Sequence, residues 1–275
     1  MTSKEAIALT AKKFPFKENM TPWLANGVYQ EIVNVAMRYL KPGDRILDFG
    51  CGPCDKTSIL HHLGFVCSGY DDLQDDWHRV PGNKAKIMSF AKKSGVELKI
   101  AKGGKLPFKK KSFDMVMMHD VLEHLHDSPR DLINDLLELA KPEGLLFITV
   151  PSAVNIRKRI DVFFGRTNLS RFEGYYWYPG SCRGHTREYV RDDLVKLCEY
   201  LNLDVLELRN FDQMLHRLPS LIRWPYRLVT RIFPRWKDSW LLVARKRSGW
   251  VQKKAIERSQ LNRILEKTNS YKYKI

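Results

Sequence analysis

Arg45-Ile46-Leu47-Asp48-Phe49-Gly50-Cys51-Gly52-Pro53-Cys54 is the stretch on which the fold turns. Arg45–Phe49 reads as a short strand that runs straight into glycines. Glycines accept left-handed backbone, and a strand that turns into a helix through them lets a ligand approach the main chain closely. Ser58–Leu63 supplies the helix. A second strand, Phe65–Tyr70, then ends at Asp71-Asp72, with Asp71 twenty-three residues after Asp48. A carboxylate at that place can accept hydrogen bonds from both ribose hydroxyls of a nucleoside cofactor.

The same alternation extends outward in both directions. Upstream, residues 28–40 carry apolar positions at helical spacing and stop at Lys41-Pro42-Gly43. Downstream, helices over 82–94 and 128–140 alternate with strands Val96–Ile100, Phe113–Met118 and Gly144–Val150. After Pro151 the rhythm breaks: residues 152–186 are rich in aromatics, Arg and Gly, and read as a cap. Helix 189–201 and strand 203–209 restore the pattern, 212–239 interrupts it again, and Trp240–Ala244 is the last strand. The expectation is an α/β, Rossmann-like, doubly wound and mostly parallel seven-stranded sheet with two cap insertions. Its strand C-termini share one ligand-binding edge. Residues 1–246 form this domain. Residues 247–275 are a basic tail, helical from Val251 to Lys267.

Several ordered motifs over 45–210 carry a resemblance. Asp48-x-Gly50-x-Gly52 resembles the first motif of class I S-adenosylmethionine-dependent methyltransferases. Leu106-Pro107-Phe108 followed by Ser112-Phe113-Asp114 resembles their "LPF…SFD" passage. Asp120-Val121-Leu122-Glu123-His124-Leu125 resembles the "VLEHL" signature, and Lys141-Pro142-Glu143-Gly144 the "LKPGG" turn. Gly184-His185-x-Arg187-x-Tyr189 is similar to an element of members that act on small molecules or glycans. The resemblance implies S-adenosylmethionine as cofactor, lying over Asp48, Gly50, Cys51 and Gly52, with Asp71 and its neighbour Asp72 at the ribose. The chain departs from the pattern twice. Cys54 stands where the third glycine belongs, and Ala101-Lys102-Gly103-Gly104 stands where an adenine-side acid is common. Adenine is then left to backbone groups and apolar contacts such as Leu106.

Methyl transfer from a sulfonium is an in-line displacement, so alignment is the protein's main task. An oxygen or carbon acceptor also needs a base. His119 ends the fourth strand at the cofactor edge and reads as both cofactor contact and catalytic group. Glu123 follows on the next turn, and His185 comes from the cap. Asp120, Glu123 and His124 stand at i, i+3 and i+4, and could hold a divalent cation, as the resemblance of this acid-x-x-Glu-His pattern to quinone-biosynthesis O-methyltransferases implies. The simpler reading, which we adopt, is a helix start with Asp120 as N-cap and Glu123 at N3, and no metal.

Two rival classes compete with this reading. Cys51-Gly52-Pro53-Cys54 spells a thioredoxin-like dithiol, implying a thiol–disulfide oxidoreductase. Gly50 stands where the usual tryptophan would be, and the downstream motifs have no role in such a protein. An RNA methyltransferase would use the basic C-terminal part. No Asn/Asp-Pro-Pro-Tyr tetrapeptide or Pro-Cys nucleophile follows the fourth strand, which disfavours base methylation and nucleic acid as partner.

Charge sharpens the question of partners. The chain carries +16, and residues 212–275 hold sixteen Lys and Arg against four acids. Arg223, Arg227, Arg231 and Arg235 recur every four residues, opposite Leu221, Leu228 and Ile232. Pro219, Pro225 and Pro234 would cut any helix there into short pieces. The plain reading packs the apolar stripe on the sheet and leaves the arginines solvated. Two others remain open: a face that lies in an anionic headgroup layer, and a cap whose arginines meet a substrate diphosphate or carboxylate. Five cysteines, an odd count, fit a reducing compartment rather than a disulfide framework. No apolar run approaches the roughly 20 residues that span a bilayer, and no secretory leader is visible. The reading is a soluble cytoplasmic methyltransferase, at most peripheral to a membrane, acting on an oxygen of a small or lipid-linked acceptor such as a saccharide intermediate or quinone precursor.

Overall fold

The computed structural model describes residues 1–167, 169, 172–178 and 183–267. Seven strands form one sheet: β1 (Arg45–Phe49), β2 (Val66–Asp71), β3 (Glu97–Ile100), β4 (Phe113–His119), β5 (Ala140–Pro151), β6 (Leu203–Phe211) and β7 (Ser239–Lys246). Their order is β3-β2-β1-β4-β5-β7-β6. β1 to β5 pair in parallel, and β7 runs antiparallel to both its neighbours. This is the doubly wound α/β architecture that the alternation implies. β1 and β4 are buried on both faces, as near-continuous apolar runs such as Phe113–Met118 require.

Helices cover both faces. Val28–Tyr39 and Asp55–His62 close one side, over a core that includes Ile46, Leu60, Met115 and Phe147. Pro129–Leu139 and Arg191–Leu201 close the other, over Leu47, Val116, Ile148 and Leu242. Two helices precede these, Ser3–Lys13 and Lys17–Ala25. The first is opened by a capping box in which Thr2 and Glu5 bond each other's backbone N–H.

Because β1 to β6 run the same way, the glycine loop after β1, the cap after β5 and the segment after β6 all leave the same edge. Pro151 and Phe211 both pair with Ser239 at the start of β7, which ties the two insertions together at their roots.

The structure corrects the second insertion. Ser220–Ile232 is one continuous helix with Pro225 inside it. The proline removes the donor that the Leu221 carbonyl would have used, but that carbonyl lies in the exposed first turn, where water can serve it. Its orientation is corrected as well: Tyr226 and Thr230 face inward, and the apolar stripe faces out.

The tail is also more docked than expected. Its helix spans Arg258–Lys267 only. Trp250 Nε1 donates to the Leu201 carbonyl, and Lys253 exchanges two hydrogen bonds with the Asn134 side chain. Those bonds hold 250–253 extended against the body. Residues 268–275 of the tail, Cys182, and part of the 152–186 cap lie outside the described residues. No helix among the described residues is long and apolar enough to cross a membrane.

Candidate functional site

A cavity of ≈1260 Å³ opens at the carboxyl edge of β1, β2 and β4. It exceeds the roughly 300–1,000 Å³ of ordinary ligand pockets, so a cofactor and a second molecule fit together. Gly50, Gly52, Asp71, Asp72, Leu106 and His119 all line it.

Sterics fix the glycine loop. Gly50 has φ +71° and Gly52 φ +50°, and a Cβ on Gly50 would collide with Val121. Cys54 takes φ +64°, the left-handed conformation of the glycine it replaces, and its backbone precedes the helix Asp55–His62. Its thiol is buried 3.6 Å from the Cys51 thiol, in space left by the missing side chain of Gly69. Burial, with Cys54 and Asp48 nearby, pushes the Cys51 thiol well above its usual range. A dithiol catalyst needs the opposite, an accessible low-pKa thiolate. The redox reading is therefore dropped. Cys51 does not line the cavity; its side chain plugs the core, so its expected place beside the cofactor is corrected as well.

Asp71 accepts a backbone N–H on each oxygen, from Gly52 and from Leu73, both at 2.7 Å. Burial raises its carboxyl, while these two bonds and His78 oppose the rise. Asp48 is elsewhere. It is buried behind the loop, where Thr57 Oγ1 donates to it at 2.5 Å, and it does not line the cavity. Desolvation pushes it up to about 7. Its place beside the cofactor is thus corrected to a bracket beneath the loop. Asp72 lines the cavity but pairs with Arg183 at 3.1 Å, and Arg183 also reaches Asp75 at 3.3 Å. Tyr178 Oη donates to Asp76 at 3.1 Å. The cap is thereby fastened across the cleft to the segment after β2.

His119 is buried, with Nδ1 3.1 Å from Thr149 Oγ1 and its ring edge-on to Phe147. Burial, reinforced by Lys56, holds it far below the usual imidazole range, so it is a neutral ring in the cavity wall. The helix start expected at Asp120 is not formed. Asp120 has φ +56°, its carboxylate accepts from Gln213 Nε2 at 2.5 Å, and a 3₁₀ turn Leu122–His124 follows without a side-chain cap.

That turn assembles a different cluster. Glu123, His124 and His185 bring one ligand atom each within 4.8 Å of the others, and the two imidazole rings meet edge-to-face at 4.9 Å. The Glu123 carbonyl accepts N–H bonds from Thr186 and Arg187, which carries His185 to this place. His124 Nδ1 donates to the Arg183 carbonyl at 2.8 Å, and His185 Nδ1 is 2.8 Å from Glu188. Both rings therefore keep Nε2 as the free acceptor. Burial drives His185 down to about 4, with His124 and Lys158 adding to the effect. Burial and the nearby Asp120 drive Glu123 up to about 9, so it holds a proton at neutral pH and is no ready base. His124 lines the cavity, and Glu123 and His185 form the layer next to it. Asp120, turned toward Gln213, stands outside this group.

Lys56, Trp23, His78 and Arg183 line the cavity without having been singled out in the sequence. Lys56 lies over the Trp23 ring at 4.9 Å. Burial pulls its ammonium down, but Asp55, Asp120 and Asp48 together outweigh that and raise it. It directly follows the Pro53-Cys54-Asp55 turn, a position at a helix start beside the loop that could have marked it.

Strand order, glycine loop and the strand-terminal Asp71 define a doubly wound α/β protein whose cavity opens at the carboxyl edge of the sheet. The sequence pattern of a family described as a methyltransferase domain matches residues 23–208, and the chain belongs to that family. An uncharacterised methyltransferase of Schizosaccharomyces pombe is 32% identical over 117 residues, which is 39% of this chain and 40% of that protein. The match thus spans about two-fifths of the curated relative's length. Among solved structures, an S-adenosylmethionine-dependent methyltransferase of Methanosarcina mazei superposes with a TM-score of 0.56 at 18% identity, covering 78% of this chain and 97% of its own. The [4+2]-cyclase SpnF superposes with 0.54 at 17% identity over 80% of this chain and 82% of its own, so the fold alone does not set the chemistry.

Proposed function

We propose that this methyltransferase transfers its methyl group to an oxygen of a small or lipid-linked acceptor that enters beside the cap. The observation that carries this reading is one cavity with two ends. Gly50, Gly52 and Asp71 line one, and His124, backed by His185, lines the other. The first end offers main-chain approach and a carboxylate for a ribose; the apolar wall of Ala101 and Leu106 suits adenine. At the second end His185 stands behind His124, neutral, braced by Glu188 and 38% exposed, so an acceptor hydroxyl that reaches past His124 can give its proton to Nε2. An anionic acceptor would raise its basicity toward the working range. His119 and the protonated Glu123 shape this end rather than remove the proton.

The experiment is calorimetric titration with S-adenosylmethionine and its demethylated product, on wild type and Asp71→Ala, followed by turnover on lipid-linked saccharides and quinone precursors with His185→Ala. We expect Asp71→Ala to weaken cofactor binding at least about tenfold, and His185→Ala to lower turnover with cofactor affinity intact. Unchanged affinity in the first variant removes Asp71 from the site. Unchanged turnover and acceptor KM in the second remove His185.

A further inference from the structure

The helix Ser220–Ile232 is built the wrong way round for a core element. Leu221, Trp224, Leu228 and Ile232 follow one another at helical spacing on one face, and that face points to solvent. Leu221 is 89% exposed, Trp224 73% and Ile232 63%. The inward face is instead Tyr226, hydrogen-bonded to Asp212 at 2.8 Å, and Arg223, which donates to the Leu218 and His216 carbonyls. These bonds fix the rotation of the helix, so the outward stripe is a settled feature of the fold.

A second apolar projection lies on the neighbouring insertion. The helix Ile156–Phe163 leaves Ile160, Phe163 and Phe164 exposed, Phe163 by 83%. The two insertions touch where the Arg159 guanidinium lies over the Trp236 ring at 5.5 Å. Both rise from the edge at which the cofactor cavity opens. Two exposed apolar faces on adjoining insertions are of the kind that marks an interaction site.

Charge identifies the occupant. Arg227, Arg231 and Arg235 are exposed and form no ion pair among the described residues. They stand beside the stripe within the segment that holds sixteen Lys and Arg against four acids. Apolar and tryptophan side chains in the middle, with arginines beside them, is the composition of a helix that lies in a lipid headgroup layer. A protein partner would have to offer an acidic rim around a large apolar groove. An anionic bilayer offers both phases everywhere.

We infer that the outward faces of Ile156–Phe163 and Ser220–Ile232 dock this protein on an anionic lipid surface, with the mouth of the cavity at the interface. The docking rests on the surface itself. Only its consequence, that the acceptor is drawn from the bilayer, rests on the lipid-linked reading above.

The test is co-sedimentation of the full chain with phosphatidylcholine vesicles, with and without phosphatidylglycerol. Wild type should bind the anionic vesicles and lose most of that binding in high salt. Leu221→Asp/Trp224→Asp should weaken it more than about tenfold, and Arg231→Glu should weaken it and flatten its salt dependence. S-adenosylmethionine affinity is measured on the same samples and should not change, which separates failure of docking from failure of the methyltransferase site. Three outcomes overturn the inference: no binding to either vesicle; equal binding by the double variant; or a dimer in sedimentation velocity that the double variant abolishes, which would assign the face to a second copy of the chain.

Discussion

Two strongly amphipathic helices of this protein are used in opposite ways. Pro129–Leu139 turns Ile133, Leu136 and Leu137 into the core. Ser220–Ile232 turns its stripe outward. Periodicity fixes that a stripe exists, not what covers it. The first helix has a sheet beneath it and a fixed end: the buried Lys246 ammonium donates to the carbonyls of Leu137 and Ala140 at 2.6 and 2.9 Å. The second begins after Pro219 and ends before Pro234, and polar bonds of Tyr226 and Arg223 set its rotation.

Three measurements press on that contrast. The largest effect is expected from Leu136→Ala set beside Leu228→Asp in chemical denaturation. The first should lose about 2–5 kcal/mol through an unfilled core cavity. The second should stay within about 0.5 kcal/mol, as an exposed position allows. Equal losses would mean that the second stripe is covered after all. Next comes Lys246→Met, which strips the cap from two buried carbonyls and should cost about 1–3 kcal/mol by the same assay. The third concerns Asp48 and is read against pH. Its folded carboxyl titrates near 7 against an ordinary 3.8, so the folded state holds that proton more tightly. The stability it gives is complete below pH 3.8 and is lost as pH rises to about 7. Asp48→Asn lacks this loss and keeps an acceptor for Thr57. Its melting temperature should therefore gain on wild type across that window by a few degrees. Parallel pH profiles would show that the buried carboxylate is compensated.

Much of this was open to reading in the sequence, for reasons that can be located. Strands such as Phe113–Met118 announce themselves because both faces are buried and the run is continuous. Gly50 and Asp71 stand out because few residues satisfy their backbone and position. The first helix was missed although the capping box Thr2-Ser3-Lys4-Glu5 stands at its start. The cap cluster was not legible. His185 meets His124 only because the Glu123 carbonyl receives the N–H groups of Thr186 and Arg187, some sixty residues away in the chain. His78 and Arg183 are likewise brought to the cavity by tertiary contacts that no local pattern encodes. The rotation of Ser220–Ile232 hangs on Asp212 and two carbonyls, whereas its residue pattern alone favours the reverse.

The twin bonds to Asp71 carry a last implication. An ionised carboxylate offers about four acceptor positions. Gly52 and Leu73 occupy one on each oxygen, which leaves two, as many as a ribose has adjacent hydroxyls. The acid is therefore set during folding: it locks the glycine loop to the segment after β2 and still keeps acceptor capacity on each oxygen. Any donor group that meets it there finds a carboxylate already oriented, and little binding energy is diverted to ordering the chain.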